Sequence, residues 1–426
     1  MNDLRLFLPC AAGVEDLLRA EVLRILGHAA PSLAAASGAT AASEAAPGGL
    51  QISASRGGVQ LIASWRDAML LNLHCRLAQR VLVELQHQPY RHEEDIYNAA
   101  GNVAWEIWFT NKQTFKIEIT AQHSPLKSLN FAALKVKDAI ADRFRHKSGE
   151  RPSVEVRWPD ARVYAHLTHE MVTLYIDTSG EPLFKRGWRE DKGDAPLKET
   201  LAAAMIEASG WGDSARAALA GGPAPAPLYD PCCGSGTIAI EAAQIACNIA
   251  PGSGRHFGFE KLLPYQAHVW SAIKNEAANA QLARPVAIFG SDVAHRMVDF
   301  AVRNAQRAGV ASCIEFRGGD ALQRMPPAEG GVMLVNPPYG ERIAAAGAAR
   351  GERIETAGSG GQDDFFTQLA AHWKKNYAGW TGWVLSPDLK LPGRMRLKES
   401  RRMPMWNGPI ECRLFKFDMV RGSART

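Results

Sequence analysis

The sequence predicts an α/β protein, a doubly wound sheet in its C-terminal half preceded by a smaller α+β part. Three observations carry this expectation. First, Leu228 to Asp230 reads as a short strand, Pro231 to Thr237 reads PCCGSGT, and a helix follows with Ile238, Ala242, Ile245 and Ala246 on one face. Strand, glycine turn and helix form the usual nucleotide-binding opening of such a sheet. Second, three further strand-like runs each end in a polar residue where ligands of open α/β sheets collect. Third, the N-terminal part alternates strand-like and helix-like periodicities.

In that N-terminal part, Leu4 to Leu8 is a short apolar run, and Val14 to Leu26 repeats apolar residues at helical spacing. Thr114 to Thr120 alternates as TFKIEIT, so Phe115, Ile117 and Ile119 share one strand face. A helix follows with Leu134, Val136, Ile140 and Phe144 apolar, interleaved with Lys135, Lys137, Arg143, Arg145 and Lys147. Two more strands are expected at Val154 to Arg157 and Met171 to Asp177. A basic helix beside a sheet could dock RNA, and Lys135, Lys137 and Arg143 are the candidate contacts. A solvated basic face is the ordinary reading of the same pattern.

With 426 residues, of which 46% are hydrophobic and 22% charged, the chain is expected to fold as two or three units with real cores. No run approaches the 18 or so apolar residues that span a bilayer. Met1 to Leu8 carries an acid at Asp3 and is no secretory signal, so residence in the cytosol is expected. Cysteines 10, 75, 232, 233, 247, 313 and 412 form no C-x-x-C pair, and reduced thiols with no metal cluster are expected. The net charge of +5 says little about partners, but its distribution says more. Lys374 to Thr426 holds twelve Lys or Arg against four acids, and Lys112 to Arg157 ten against five. Three low-complexity stretches, Ala29 to Gly49, Gly221 to Pro227 and Ala344 to Gly361, read as a surface insertion, a spacer and a loop beside the active site.

The C-terminal motifs narrow the chemistry. Gly234 and Gly236 let the backbone turn sharply and approach a ligand. No G-x-G-x-x-G is present, because Ile238 and Ala239 follow. Val286 to Phe289 leads to Asp292, a carboxylate placed to accept ribose hydroxyls. Ile314 to Phe316 leads to Asp320, which could accept from an adenine amine. Either acid alone could simply cap a helix. The run Val332 to Tyr339, VMLVNPPY, is the strongest signal. A strand delivers Asn336 to its carboxyl end, and Pro337 and Pro338 stiffen the turn and remove two donors. The Asn336 side-chain oxygen and the Pro337 carbonyl can then accept from a planar amine and aim its nitrogen at a methyl donor. Tyr339 offers a face on which an unstacked base can lie.

DPCCGSGTIAIEAA (230–243), Asp292, GGDA (318–321) and NPPYGER (336–342) resemble class I methyltransferases that methylate amines. Upstream, ALKVKDAIADRFR (133–145), LFKRGWR (183–189) and APLKETLAAAMI (195–206) are similar to RNA methyltransferases carrying a THUMP domain. Together with NGPIECRLFKF (407–417), they are nearest to the guanine-N2 methyltransferases of 23S ribosomal RNA. The resemblance implies a ferredoxin-like unit over 1–65 with a flexible insertion at 29–49, a THUMP RNA-binding domain over 66–180, and a Rossmann-like catalytic domain with a seven-stranded sheet over 185–426. It implies S-adenosylmethionine as cofactor and structured RNA as partner, either 23S rRNA or a ribosome assembly precursor, with no membrane and no metal.

By the same resemblance, Asp230, Gly234 and Gly236 line the methionine side of the cofactor, with Cys232 and Thr237 in the same turn. Asp292 takes the ribose, Asp320 with Ala321 the adenine, and Asn336 touches the cofactor as well. Asn336, Pro337, Pro338 and Tyr339 hold the target base. The chain departs from the family in its three insertions and in the Cys232–Cys233 pair. It also stops where a bifunctional relative would continue, so one activity is expected. N2-guanine methylation of tRNA, adenine-N6 or cytosine-N4 methylation of DNA, and a noncatalytic RNA-binding assembly factor are the alternative readings.

Overall fold

The computed structural model describes residues 3–27, 50–193, 196–283, 285–337 and 360–420. The insertion at 29–49, most of the expected loop at 344–361, and Pro338 and Tyr339 lie outside the described residues. The chain divides into two compact units. One contains Met1–Cys10, Leu18–Leu183 and Arg255–Glu276, and the other contains Ala11–Leu17, Phe184–Gly254 and Ala277–Thr426. A stretch from the middle of the catalytic sequence, Arg255–Glu276, therefore belongs to the first unit.

The first unit is built on one seven-stranded sheet. Its strands are β1 (Leu4–Pro9), β2 (Ile52–Ser55), β3 (Gly58–Ala63), β4 (Leu82–Pro89), β5 (Phe115–Ala121), β6 (Ala161–Leu167) and β7 (Met171–Asp177). Their order is β2-β3-β1-β4-β7-β6-β5. The β4 strand is the seam of the sheet. It meets β1 through only Leu6↔Val83 and Phe7↔Leu82, but runs antiparallel to β7 from Leu82↔Asp177 to Pro89↔Met171. The two N-terminal parts expected from the sequence thus share a single sheet.

Of the helices here, α1 (Glu15–Ile25) and α2 (Trp65–His74) precede β4, and α3 (Glu93–Gly101) and α4 (Leu129–Ser148) follow it. Ser64 and Asp67 form a capping box that starts α2. On α4, Ser128 accepts from Phe131 N at 3.2 Å and Gly149 closes the last turn at φ +77°. The helix buries Ala132, Val136, Ala139, Ile140 and Phe144, as its periodicity implied, but Leu134 is 48% exposed.

The strand expected at Val154–Arg157 does not form. Val154 makes one isolated bridge to Phe115, and the chain then leaves the sheet. Pro159, two residues beyond the expected strand, has no N–H to contribute to a ladder.

The second unit opens with α5 (Glu199–Ser209) and α6 (Trp211–Leu219), then β8 (Leu228–Asp230) and α7 (Thr237–Ala246). After α8 (Ala267–Asn279), whose residues up to Glu276 belong to the first unit, come β9 (Ile288–Asp292), α9 (His295–Arg307), β10 (Ile314–Gly318), β11 (Gly331–Val335), β12 (Trp380–Ser386), β13 (Arg401–Asn407) and β14 (Ile410–Asp418). The sheet order is β10-β9-β8-β11-β12-β14-β13, with β8 through β12 parallel and β14 antiparallel to both its neighbours. A seven-stranded sheet of this order, reversing direction at β8, is the class I methyltransferase architecture. Its switch point lies between β8 and β9 on one side and β11 on the other, which brings Asp230, Asp292 and Asn336 to one edge. One face is sealed by the helix Gly360–Asn376, where Phe366 and Trp373 pack with Tyr377, Trp380 and Phe415.

Candidate active site

The glycine turn is built by backbone hydrogen bonds that only small residues permit. Cys233 N donates to Ser291 O at 2.8 Å, and Gly236 N donates to Cys233 O at 2.8 Å. Gly234 sits at φ +52° and Gly236 at φ +86°, in the left-handed region. A Cβ on Gly236 would come within 2.9 Å of the Ala301 Cβ and 3.1 Å of the Phe316 ring. Thr237, the first residue of α7, is buried, and its hydroxyl accepts from Arg189 Nη2 at 2.8 Å.

A buried carboxyl group, that of Asp230, and a half-buried one, that of Asp292, flank this turn. Asp230 Oδ1 accepts from Cys232 N at 3.1 Å. Burial, aided by repulsion from Asp292, pushes the Asp230 carboxyl up to about 8. At neutral pH Asp230 is therefore poised to hold a proton until a cation approaches. Asp292 accepts from Gly234 N at 3.0 Å through Oδ2 and from Ala294 N at 2.9 Å through Oδ1. Burial also raises its carboxyl above the usual range, and the two N–H groups oppose that rise. The third acid, Asp320, follows β10. Its Oδ1 accepts from Leu322 N at 2.9 Å, its carbonyl accepts from Arg324 N at 2.9 Å, and Ala321 beside it is buried. Gly319 N donates to Asp292 O at 3.0 Å, so the second and third acids are linked through backbone.

Asn336 stands just beyond β11, which pairs in parallel with β8 on one side and β12 on the other. Its Oδ1 is buried and has no hydrogen-bond partner among the described residues. An orphaned buried acceptor is costly, commonly about 1–3 kcal/mol, and a ligand donor placed there would relieve that cost. Pro337 is buried next to it. The structure thus brings Asp230, Cys232, Gly234, Gly236, Thr237, Asp292, Asp320, Ala321, Asn336 and Pro337 to the same edge of one sheet. These residues fit a cationic nucleoside cofactor: a carboxyl that ionises against positive charge, a turn held at positive φ by two glycines with open space beside Gly234, and acids at successive strand ends.

Of the basic residues of α4, which lie in the first unit, the three candidate RNA contacts are each engaged. Lys135 Nζ pairs with Glu94 at 3.0 Å, Lys137 with Asp138 at 2.9 Å, and Arg143 grips both oxygens of Glu106 at 2.7 Å while donating to Gly101 O.

The segment 186–191 carries a network to which the sequence analysis gave no role, although Arg186 and Arg189 stand in the LFKRGWR run. Arg189 donates to Glu199 Oε1 at 2.8 Å, Leu197 O at 3.0 Å, Ser235 Oγ at 3.1 Å and Thr237 Oγ1 at 2.8 Å. It thereby holds the far side of the glycine turn. Arg186 meets Glu241 in a pair exposed by only 2% and 0%. Asp191 takes Arg303 and Arg307 of α9, which hold its carboxyl down at about 2. A signal was present: Glu199 and Glu241 stand inside otherwise apolar helices, ETLAAAMI and IAIEAAQIA, and a buried acid requires a cationic partner.

Comparison with known proteins places this geometry in a family. The RMKL-like methyltransferase domain matches residues 186–416, which is more than half of the sequence. The chain belongs to the RMKL-like methyltransferase family. Upstream, the THUMP domain matches residues 90–177 and the RlmL ferredoxin-like domain residues 36–82. A ribosomal RNA large subunit methyltransferase K/L of Shewanella pealeana is 38% identical over 370 residues, covering 86% of this chain and 49% of that protein. The enzyme of the same name from Psychromonas ingrahamii is 38% identical over 363 residues, covering 84% and 45%. The chain spans about half the length of the curated relatives it matches.

Among solved structures, SMU.472, crystallised as a complex with SAH, is similar with a TM-score of 0.80 at 25% identity, covering 99% of this chain and 100% of that one. A protein from Listeria monocytogenes, described as a predicted N6-adenine-specific DNA methylase, aligns with a TM-score of 0.77 at 26% identity, covering 97% and 96%. TrmN from Thermus thermophilus, at 18% identity and a TM-score of 0.60, shares the fold.

Proposed function

We propose that the chain transfers a methyl group from S-adenosylmethionine to the exocyclic N2 amine of a guanine in large-subunit ribosomal RNA. The observation that carries the reading is the buried, unpartnered Asn336 Oδ1 beside β8, whose end bears Asp230. An acceptor without a donor among the described residues is open to a substrate amine. The names of the K/L relatives support ribosomal RNA as substrate, and the SAH complex of SMU.472 supports the cofactor.

S-adenosylmethionine, when bound, supplies an electrophilic methyl group. Asp230, Cys232, Gly234, Gly236 and Thr237 hold its methionine end, Asp292 its ribose, and Asp320 with Ala321 its adenine. Asn336 Oδ1 and the Pro337 carbonyl accept the two amine hydrogens, orient the nitrogen lone pair and exclude other approaches. Pro338 and Tyr339 complete the base site in this reading, with Tyr339 stacking on the extruded guanine.

A second reading, methylation of adenine N6 in DNA, is favoured by the Listeria neighbour, because the same amine-holding residues serve either base. The THUMP match over residues 90–177 favours RNA. The deciding experiment incubates the purified chain with tritiated cofactor and, separately, unmodified ribosomal RNA, tRNA and DNA, and then identifies the labelled nucleoside. Label in N2-methylguanosine from large-subunit RNA is expected. Label in N6-methyladenine alone, or none in any RNA, would sink the proposal.

A further inference from the structure

Four of the basic side chains of α4 are already held by acids. Lys135, Lys137, Arg143 and Arg145 are all ion-paired, so a phosphate would have to displace Glu94, Asp138, Glu106 or Asp142. The loop that follows the helix is different. Trp158 is 76% exposed, Val156 65% and Val154 50%, an apolar stripe on the protein surface. Exposed Arg151 and Arg157 flank it along the chain, Lys112 is exposed three residues before Phe115, to which Val154 is bridged, and none of the three makes an ion pair among the described residues.

The acids nearby are already committed. Glu150 accepts from Asn111 at 3.1 Å, Glu155 accepts from the Arg157 backbone N–H at 2.7 Å, and Asp160 pairs with Lys261 at 2.8 Å.

This surface is also held in place. Phe115 N donates to Ser153 O at 3.0 Å, Glu155 N to Phe115 O at 3.1 Å, and Asp160 N to Thr114 O at 3.0 Å. Pro152 and Pro159 are buried at its two ends. Val156 to Trp158 therefore bow outward between two anchors, and the indole is presented from a fixed base. Lost conformational freedom has already been taken up by folding, which favours binding.

We propose that this loop is a contact for single-stranded RNA, with Trp158 stacking on an unpaired base and Arg151, Arg157 and Lys112 meeting the phosphates on either side. The inference rests on the RNA reading above. An aromatic face ringed by unpaired cations fits a nucleic acid strand, because every base has a π-face and every linkage a negative charge. A protein partner would need acids opposite three cations and an apolar knob opposite the indole. A duplex, whose bases are already stacked, cannot use the indole at all.

The test measures anisotropy of a labelled 12-nucleotide oligoadenylate and of a matching RNA duplex, both titrated with the full chain. Trp158→Ala is expected to weaken single-strand binding by roughly 5- to 100-fold, with Trp158→Phe recovering most of it and duplex affinity within about twofold of wild type. Replacing both Arg151 and Arg157 by Ala should flatten the slope of log affinity against log salt by about 1.4. Cofactor affinity, measured in parallel, should not move and serves as the control for folding. Single-strand affinity of Trp158→Ala within twofold of wild type, or an equal loss on the duplex, overturns the stacking role. If the wild-type chain binds neither oligoadenylate nor ribosomal RNA, the RNA reading itself falls, and this surface with it.

Discussion

The backbone N–H of Gly234 donates to Asp292 Oδ2 at 3.0 Å, so the acid expected to receive the ribose also fixes the glycine turn that is proposed to cradle the other end of the cofactor. Asp292→Ala is therefore expected to lose more than a ribose contact. Cofactor affinity should fall at least tenfold, and the melting temperature of the cofactor-free protein should fall too. Asp292→Asn is the sharper variant, because its amide can turn only one acceptor toward the two N–H groups of Gly234 and Ala294. Calorimetry and thermal melts check both effects. A variant that loses affinity with an unchanged melt would show that the turn stands without Asp292.

Asn336→Ala should behave in the opposite sense on stability. Its Oδ1 is buried without a partner among the described residues, so removing it costs no hydrogen bond to any of them. The expected result is a turnover number reduced at least 100-fold, cofactor affinity within about threefold of wild type, and a melting temperature equal or slightly higher. Single-turnover kinetics with saturating cofactor separates these terms.

Asp230 predicts a pH dependence. Its carboxyl is pushed up to about 8 by burial, against 3.8 for the ordinary group. A raised value means that the neutral form is favoured in the folded state. Its contribution to stability is complete below about pH 4 and is lost progressively as pH rises to about 8. Asp230→Asn, which cannot ionise, should melt several degrees above wild type at pH 8 and show a much smaller difference near pH 5. The same variant should bind cofactor more weakly. Binding to wild type at pH 7 should release close to one proton, detectable as a buffer-dependent enthalpy. Proton release unchanged in the variant would remove Asp230 from the cation site.

Arg189 serves four acceptors on two segments, which a lysine cannot reproduce. Arg189→Lys should lower cofactor affinity about tenfold by loosening Ser235 and Thr237, with turnover at saturating cofactor largely kept. A loss confined to turnover would contradict this positioning role.

Much of the second unit was legible because its elements obey local rules. The strand, glycine turn and helix at 228–246, the strands ending near Asp292 and Asp320, and the strand delivering Asn336 all stand where periodicity and turn residues put them. What could not be read locally was pairing. Nothing in the TFKIEIT alternation says that β5 is a sheet edge, or that β4 joins two N-terminal parts into one sheet. Val154–Arg157 alternates like a strand, yet it has no partner beyond a single bridge. The basic appearance of α4 concealed its ion pairs, since Glu94 and Glu106 approach from outside the helix. The Arg189 network joins residues up to 48 positions apart and carries no contiguous motif.

The membership of Arg255–Glu276 in the first unit has a consequence for how the molecule is made. Synthesis proceeds from the N-terminus, and domains that are contiguous in sequence can fold one after another as they emerge. Here the first unit waits for residues that are translated after the glycine turn and α7 of the second. Arg255 supplies donors to Ser179 O, Glu181 O and Pro182 O, and Phe259 N donates to Thr178 O. A nascent chain released at residue 250 would therefore carry a complete seven-stranded N-terminal sheet whose closing loop is still unprotected. Its resistance to protease should appear only once the ribosome has passed Glu276, so the two units acquire their final form in an interleaved order rather than in sequence.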